Sequence, residues 1–439
     1  QSLGGYNASG STYEIEDSAA NITASTDTLM QNGTIKVDVT DTDVNASIGN
    51  TLAAFTADIE FDVSDTAANI AAQIAAGNGT NGTGYGADSL EDAGSVVVES
   101  GSAVLASQAE SIQDLVNYSG GDIDITDSAA NLKSAGDHVL NVTGVDTVTV
   151  NAAGTGSTVT AQDGAILAGF TADVEFDVVD DVSDLKAIMG QNDAASYLTE
   201  ANSITVDNGS GDRVVGAQDG AILASFTADV DFDVVATADE IATELTGSIA
   251  PGTGVNSLDE AADVVVSGGD VDAEDAAAIM QISGYNTGGS QFEITDDVAS
   301  VISAGTGVIE NGGVSKVEVT GVADVSEGVA LNTYTSNVEF DVSGTADDIF
   351  AEVNNLGDAD DVFVVSGDVS ISEAQSIQSL GGYNASGSTY EIEDSAANIT
   401  ASNDTLMQNG TIKVDVTDTD VNASIGNTLA AFTADIDFD

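Results

Sequence analysis

The sequence predicts an α/β fold: a repeat solenoid of parallel β-strands alternating with short helices, about 27 residues per rung. Three observations lead there. Residues 1–62 recur at 378–439 with two differences, Thr26/Asn403 and Glu60/Asp437, an offset of 377 residues. Within that offset a short alternating apolar/polar pattern, the signature of a half-buried strand, occurs 14 times. Between the patterns lie Ala-rich, helix-competent stretches. The order strand–helix–strand over so short a span places successive strands parallel.

The strand patterns run in order as YEIED from Tyr13, IKVDVTD from Ile35, IEFDVSD from Ile59, VVVES from Val96, IDITD from Ile123 and VTV from Val148. VEFDVVD from Val174, ITVDN from Ile204, VDFDVVA from Val230 and VVVSG from Val264 follow. FEITDD from Phe292, VEVTG from Val317, VEFDVSG from Val338 and VFVVSG from Val362 complete the set. The helical stretches include SAANI from Ser18, TAANIAAQI from Thr66, SDLKAIM from Ser183, DEIATEL from Asp239 and SEAQSIQSL from Ser372, with Ser, Thr or Asp at their starts as N-caps.

Rungs fall into four types: one with D(S/T)AANI, one with KVDV or KVEV, one opening FTADVEFDV, and one with VVVSG and a Tyr-Asn or Asn-Tyr turn at Tyr118, Tyr285 or Tyr383. AQDGAILAxFTADV at 161–174 returns at 217–230, a duplication inside the unit. Residues 1–377 therefore form one unit of about 14 rungs, and 378–439 open the next in one continuous solenoid. The window is expected to belong to a longer polymer. The helices at 148–170 and 204–226 are weak, so those rungs are expected to close with turns; a parallel β-helix is the alternative fold.

Six basic and 74 acidic residues give a net charge of −68, yet the charged fraction is only 18%. Such one-sidedness repels nucleic acid and anionic membrane and attracts cations. With 42% hydrophobic residues the chain has enough apolar material for a core, against a disordered reading. No apolar run approaches the ~18 residues of a membrane span. No cysteine is present, which excludes disulfides and thiol chemistry.

Alternation places Ile59, Phe61 and Val63 on one face and Asp58, Glu60 and Asp62 on the other. Asp173, Glu175 and Asp177, then Asp229, Asp231 and Asp233, and Glu339 and Asp341 repeat the outward set. Like charges one strand spacing apart repel by ~1 kcal/mol in water. Lys36, Lys316 and Lys413 share one strand position and are expected between Glu14 or Glu293 on one side and Glu60 or Glu339 on the other. This acidic face reads either as a solvated coat or as a place where divalent cations, Ca2+ first among them, bridge rungs.

Asp17, Asp41, Asp65 and Asp127 end strands just before helices, where they serve as caps or as a calcium ladder. Asp41, Asp43, Asn45 and Ser47 have the spacing of an EF-hand loop, but Ala46 replaces the glycine and Leu52 the closing glutamate.

Other motifs carry less. Gly77, Gly79 and Gly82 match a dinucleotide fingerprint but follow a helix, which makes them a loop. The lone His138 has no second histidine for a metal site. Two carboxylates suffice for glycoside hydrolysis, but an active site should break the repeat, and here nearly every rung shows the same acids. Fourteen Asn-x-Ser/Thr sequons occur, among them Asn7, Asn21, Asn32, Asn45, Asn78, Asn81, Asn117, Asn141 and Asn208; four of the fourteen are copies.

DSAANI at 17–22, SDTAANIAAQI at 64–74 and TDSAANL at 126–132 resemble a repeat of very large secreted proteins of cyanobacteria and proteobacteria. Those are adhesins or surface-layer-like polypeptides grouped with hemolysin-type calcium-binding proteins. The chain has none of that group's Gly-Gly-x-Gly-x-Asp nonapeptides. The resemblance implies an exported cell-surface role. Together these readings predict a non-enzymatic structural subunit of an extracellular filament or surface layer. Its partners are copies of itself, end to end or within one giant chain, and divalent cations. The alternative is a calcium-dependent adhesin stalk.

Overall fold

A computed structural model describes residues 7, 10, 12–26, 28–29, 34–77, 89–101, 103–151, 156–189, 198–225, 229–247 and 258–438. The chain is α/β, with short, purely parallel sheets and short helices in alternation. It forms two compact units, Gln1–Arg213 with Phe226–Asp231, and Val214–Ser225 with Phe232–Asp439.

In the first unit, strands Tyr13–Asp17, Thr34–Val39 and Ile59–Glu60 pair in that order. Val63–Thr66, Val96–Glu99 and Tyr118–Gly121 pair next, then Ile123–Asp127, Val145–Val150 and Val174–Glu175. Thr158–Val159, Asp177–Asp180, Ser203–Val206 and Val230–Asp231 make a fourth sheet. Single bridges, Val44 to Val63 and Val104 to Ile125, continue the pairing from one sheet to the next. Each strand therefore lies beside the strand of the next strand–helix module along the chain.

The second unit follows the same rule. Val214–Val215, Asp233–Ala236 and Asp263–Val266 pair; then five strands from Asp270–Val271 to Asp361–Ser366; then Asp368–Val369, Tyr390–Asp394, Thr411–Val416 and Ile436–Asp437.

The core lies between strands and helices. Alternate strand residues such as Val317, Phe340 and Val342 are buried, and the intervening Glu318, Glu339 and Asp341 are not. Helices bury one stripe at intervals of three: Ala161, Gly164, Leu167; Ala273, Ala276, Ile279; Ile371, Ala374, Ile377. At Gly164 an added Cβ would lie 2.9 Å from Val178 and 3.0 Å from Phe176, so the helix rests directly on the Phe-Asp-Val segment of the next module. N-caps are in place at Ser18, Asn45, Ser128, Thr160, Asp272 and Ser370.

Two expectations are corrected. Strands read as single are split at phenylalanine: Ile59–Glu60 from Val63–Thr66, Val174–Glu175 from Asp177–Asp180, Val230–Asp231 from Asp233–Ala236. At these phenylalanines the partner changes, since a loop interrupts the preceding module's strand: Ile59 pairs with Val37 but Val63 with Val44, and Val174 pairs with Val148 but Val178 with Val159. Only Val338–Thr345 stays whole. The rungs expected to close with turns do carry helices, Ala161–Leu167 and Ala217–Ala224. Their glycines lower propensity, but burial of Leu167 and Leu223 outweighs it.

The modules also alternate in a way the sequence reading did not resolve. In one kind the strand runs almost directly into the helix, as Ile123–Asp127 into Ala129–Ala135. In the other a loop intervenes before a last bridging residue, as at 40–43 before Val44. Of the glycines expected in a loop, Gly79 and Gly82 lie outside the described residues, and Gly77 instead closes helix Ala67–Gly77.

Candidate functional site

The chemistry-bearing groups are almost all carboxylates, and the backbone is their main partner. Where a strand meets its helix, one aspartate closes two helix starts. Asp65 Oδ2 accepts the N–H of Ala46, first residue of the preceding module's helix, at 3.0 Å; its Oδ1 accepts from Thr66 N and Asn69 Nδ2. Asp127 does the same for Ala106, Asp180 for Ala161, Asp296 for Ala273 and Asp394 for Ile371. A first-turn N–H has no partner inside its helix, so a carboxylate from the neighbouring module satisfies it and favours the positive end of the dipole.

The converse bond comes from the loops: Asp41 Oδ2 accepts Ala19 N, Asn208 Oδ1 accepts Val182 N, and Asp418 Oδ2 accepts Ala396 N. Burial pushes the Asp394 carboxyl up, but donors from Asn398, Ser395 and Ile371 outweigh it and hold it below the usual aspartate range.

A second set joins modules after the helices. Asp137 accepts from Thr171 N and Oγ1, Glu310 from Thr335 N and Oγ1, and Asp404 from Thr433 N and Oγ1. These donors hold Asp404 and Glu310 below their ordinary values. Thr171 and Thr433 belong to the recurrent Phe-Thr-Ala-Asp motif and Thr335 to Tyr-Thr-Ser-Asn at the same place, each donating to the previous module's acid.

The third set is the outward strand face. Asp38 lies opposite Glu60, Glu318 opposite Glu339 and Asp415 opposite Asp437. Lys36 Nζ lies 3.0 Å from Asp38 and 2.7 Å from Glu60. Lys316 lies 3.2 Å from Glu318 and 2.7 Å from Glu339; Lys413 lies 2.7 Å from Asp415 and 3.4 Å from Asp437. The lysines stand in register with Glu14, Glu293 and Glu391 as expected. Their ammonium groups, however, turn to their own strand and to the following one.

Asp231 takes Arg213 at 2.6 Å, and Glu175 faces Thr149 and takes its hydroxyl. Asp62 accepts from Ser95 Oγ at 2.8 Å, and Asp177 from Ser203 and Ser157. Asp233 faces Asp263, which accepts from Asn286 at 3.1 Å.

The proposed metal-ligating sets are thus not stacked on one another. A module of another type separates Asp173, Glu175 and Asp177 from Asp229, Asp231 and Asp233. Asp43, Asp58, Asp173 and Asp229 are exposed, and their carboxylates make no hydrogen bond among the described residues. The EF-hand spacing does not form a ligand loop: Asn45 caps helix Ala46–Ala53, which begins at the sixth position.

Among the described residues one acidic group could hold a metal ion, and it was not foreseen: Asp180, Asp181 and Asp184, with ligand atoms within 4.8 Å of one another. The Ser183 hydroxyl and the Asp184 N–H hold Asp181 low, while the charges of Asp181 and Asp180 push Asp184 up. The only hint in the sequence was the run Asp180-Asp181 followed by Asp184 at helix spacing. His138 is exposed and stands 3.7 Å from Glu110.

No described helix is long and apolar enough to cross a membrane. No protein-family model matches the chain, and a comparison with curated proteins finds no match.

Proposed function

We propose that the chain is a non-enzymatic structural element of an extracellular fibre or surface layer, a solenoid in which tandem 377-residue units continue one another. The carrying observation is the joint at which the second copy begins. Val362 pairs with Tyr383, Asp368 with Glu391 and Val369 with Ile392. These are the pairings of Val264 with Tyr285, Asp270 with Glu293 and Val271 with Ile294, shifted by 98 residues. A new unit thus docks on its predecessor through a joint already used inside the unit. Parallel pairing then carries load along the stack, and unpaired sheet edges favour end-to-end growth.

The copies themselves support the reading. Asp17 with Asn21 and Asp41 with Ala19 return as Asp394 with Asn398 and Asp418 with Ala396. At about 4.8 Å per module, 14 modules give an axial repeat of roughly 67 Å. Electron micrographs of native material are expected to show fibres or sheets with that repeat; isolated globules end the proposal.

A calcium-dependent adhesin stalk is the second reading, favoured by the Asp180–Asp181–Asp184 group. Melting with calcium and with chelator at low ionic strength separates the two. An unchanged midpoint removes the calcium version.

A further inference from the structure

We propose that Asn141 is an N-glycan attachment site, taking an oligosaccharide from a lipid-pyrophosphate-linked donor. The inference rests on the export reading above. Sequence alone offers fourteen sequons, and the structure separates them by what each asparagine does.

Asn21 Nδ2 donates to Asp17 and Asn398 Nδ2 to Asp394, both at 2.7 Å. Asn117 Nδ2 donates to the carbonyls of Leu90 and Ala93, Asn384 Nδ2 to Asp361, and Asn409 Nδ2 to Gln378. The first two nitrogens tie a helix to its own strand, and the other three join neighbouring modules. Asn45, Asn403 and Asn422 cap helices through Oδ1, and the hydroxyl residues of their sequons, Ser47, Thr405 and Ser424, sit in the first helical turn. Asn7 and Asn208 hold contacts of their own. Asn32, Asn78 and Asn81 lie outside the described residues.

Asn141 differs from all of these. It follows helix Asp137–Leu140, in the turn before strand Val145–Val150. Its side chain is exposed, as is Thr143, and it makes no hydrogen bond among the described residues. Nor does the fold need an asparagine there. Glu310 stands equally four residues ahead of its strand, Val314–Ala323, and captures Thr335. In the Asn141 module Asp137 performs that capture, on Thr171. The turn is a surface loop with an unused amide nitrogen and its hydroxyl partner two residues on.

In the transfer, Nδ2 attacks the anomeric carbon of the donor sugar. The C–N bond forms, the C–O bond to pyrophosphate breaks, the lipid pyrophosphate leaves, and one amide proton passes to a base of the transferase.

The test is glycopeptide mass spectrometry of the native full-length protein, recovered separately from the cell surface and the cell interior. Surface protein is expected to carry a glycan mass on the Asn141 peptide and none on those of Asn117 and Asn384. Asn141→Gln and Thr143→Ala are each expected to remove it. A bare Asn141 on surface protein, or a modification that survives Thr143→Ala, overturns the inference. A chain confined to the interior overturns the export reading; a glycan on Asn141 there still supports this inference, and a bare Asn141 there overturns both.

Discussion

Asp127 reaches back 21 residues along the chain to accept the N–H of Ala106 at 3.0 Å, and it is only 6% exposed. The same carboxylate accepts from Ser128 N and Asn131 Nδ2, so one side chain closes the starts of two helices. Asp127→Ala leaves the buried Ala106 N–H and the part-buried Ser128 and Asn131 donors without their acceptor. The expected loss is ~2–3 kcal/mol, read as a lower denaturant midpoint, with faster hydrogen exchange at Ala106. Asp58→Ala, which removes an exposed carboxylate with no bond, is the control and is expected to change neither. Equal effects from the two variants would refute the assignment.

The lysines make a salt-dependent prediction. Lys316→Gln leaves Glu318 and Glu339 facing each other across a parallel pair. The two carboxylates are 55% and 43% exposed, so salt screens their repulsion. The variant is expected to be less stable than the parent in low salt and to match it near 1 M. A deficit that persists at high salt would point to lost packing of the lysine stem instead.

The tyrosine turns depend on glycines in the next module. A Cβ on Gly313 would collide with the Tyr285 hydroxyl and lie 3.1 Å from Ser290 Cβ. Gly313→Ala is expected to cost ~1–3 kcal/mol by overpacking. Tyr285→Phe should restore part of that loss in the double variant, although it sacrifices the bond to Asn311 at 3.1 Å. Strict additivity of the two changes in thermal unfolding would show that the residues do not meet.

Acid should loosen the module joints. Donors from Thr433 and Ala434 hold the Asp404 carboxyl below its ordinary value, and those from Thr335 hold Glu310 low. A depressed folded value means that the stabilisation is fully present above about pH 4 and is lost as pH falls through the depressed value. Asp404→Asn is expected to lower stability at neutral pH and to flatten its decline below about pH 4. Asp184 has the opposite sign, since the charges of Asp181 and Asp180 raise it; its destabilising contribution is relieved as pH falls. Acid titration of the parent and Asp404→Asn by circular dichroism decides the matter; parallel curves for the two would be the contrary result.

Much of the fold was legible because a strand–helix module must repeat both its polar alternation and its caps. The lysine register, the capping serines and the FTAD motif all fell where the period placed them. Strand breaks at Phe61, Phe176 and Phe232 were not legible, since a strand's own alternation does not reveal that a loop interrupts its partner in the preceding module. The roles of Asp65 and Asp127 were half legible: a cap can be read from the following Ser or Thr, but not its second bond to a helix start 19 or 21 residues earlier. For the same reason the acidity read as a coat, when a good part of it serves backbone donors between modules.

The joint at Asp361–Val364 has a consequence for inheritance. Asp341 faces Asp361 and Val342 faces Val362, just as Asp233 faces Asp263 and Val234 faces Val264. Recombination that excised residues 264–361 would connect Asp263 to Val362 and leave every pairing at the seam intact. Slippage between gene copies could therefore shorten or lengthen the protein by whole modules without selection first having to repair an interface. Alleles of different length, each a multiple of these cassettes, are the expected variation of such a gene.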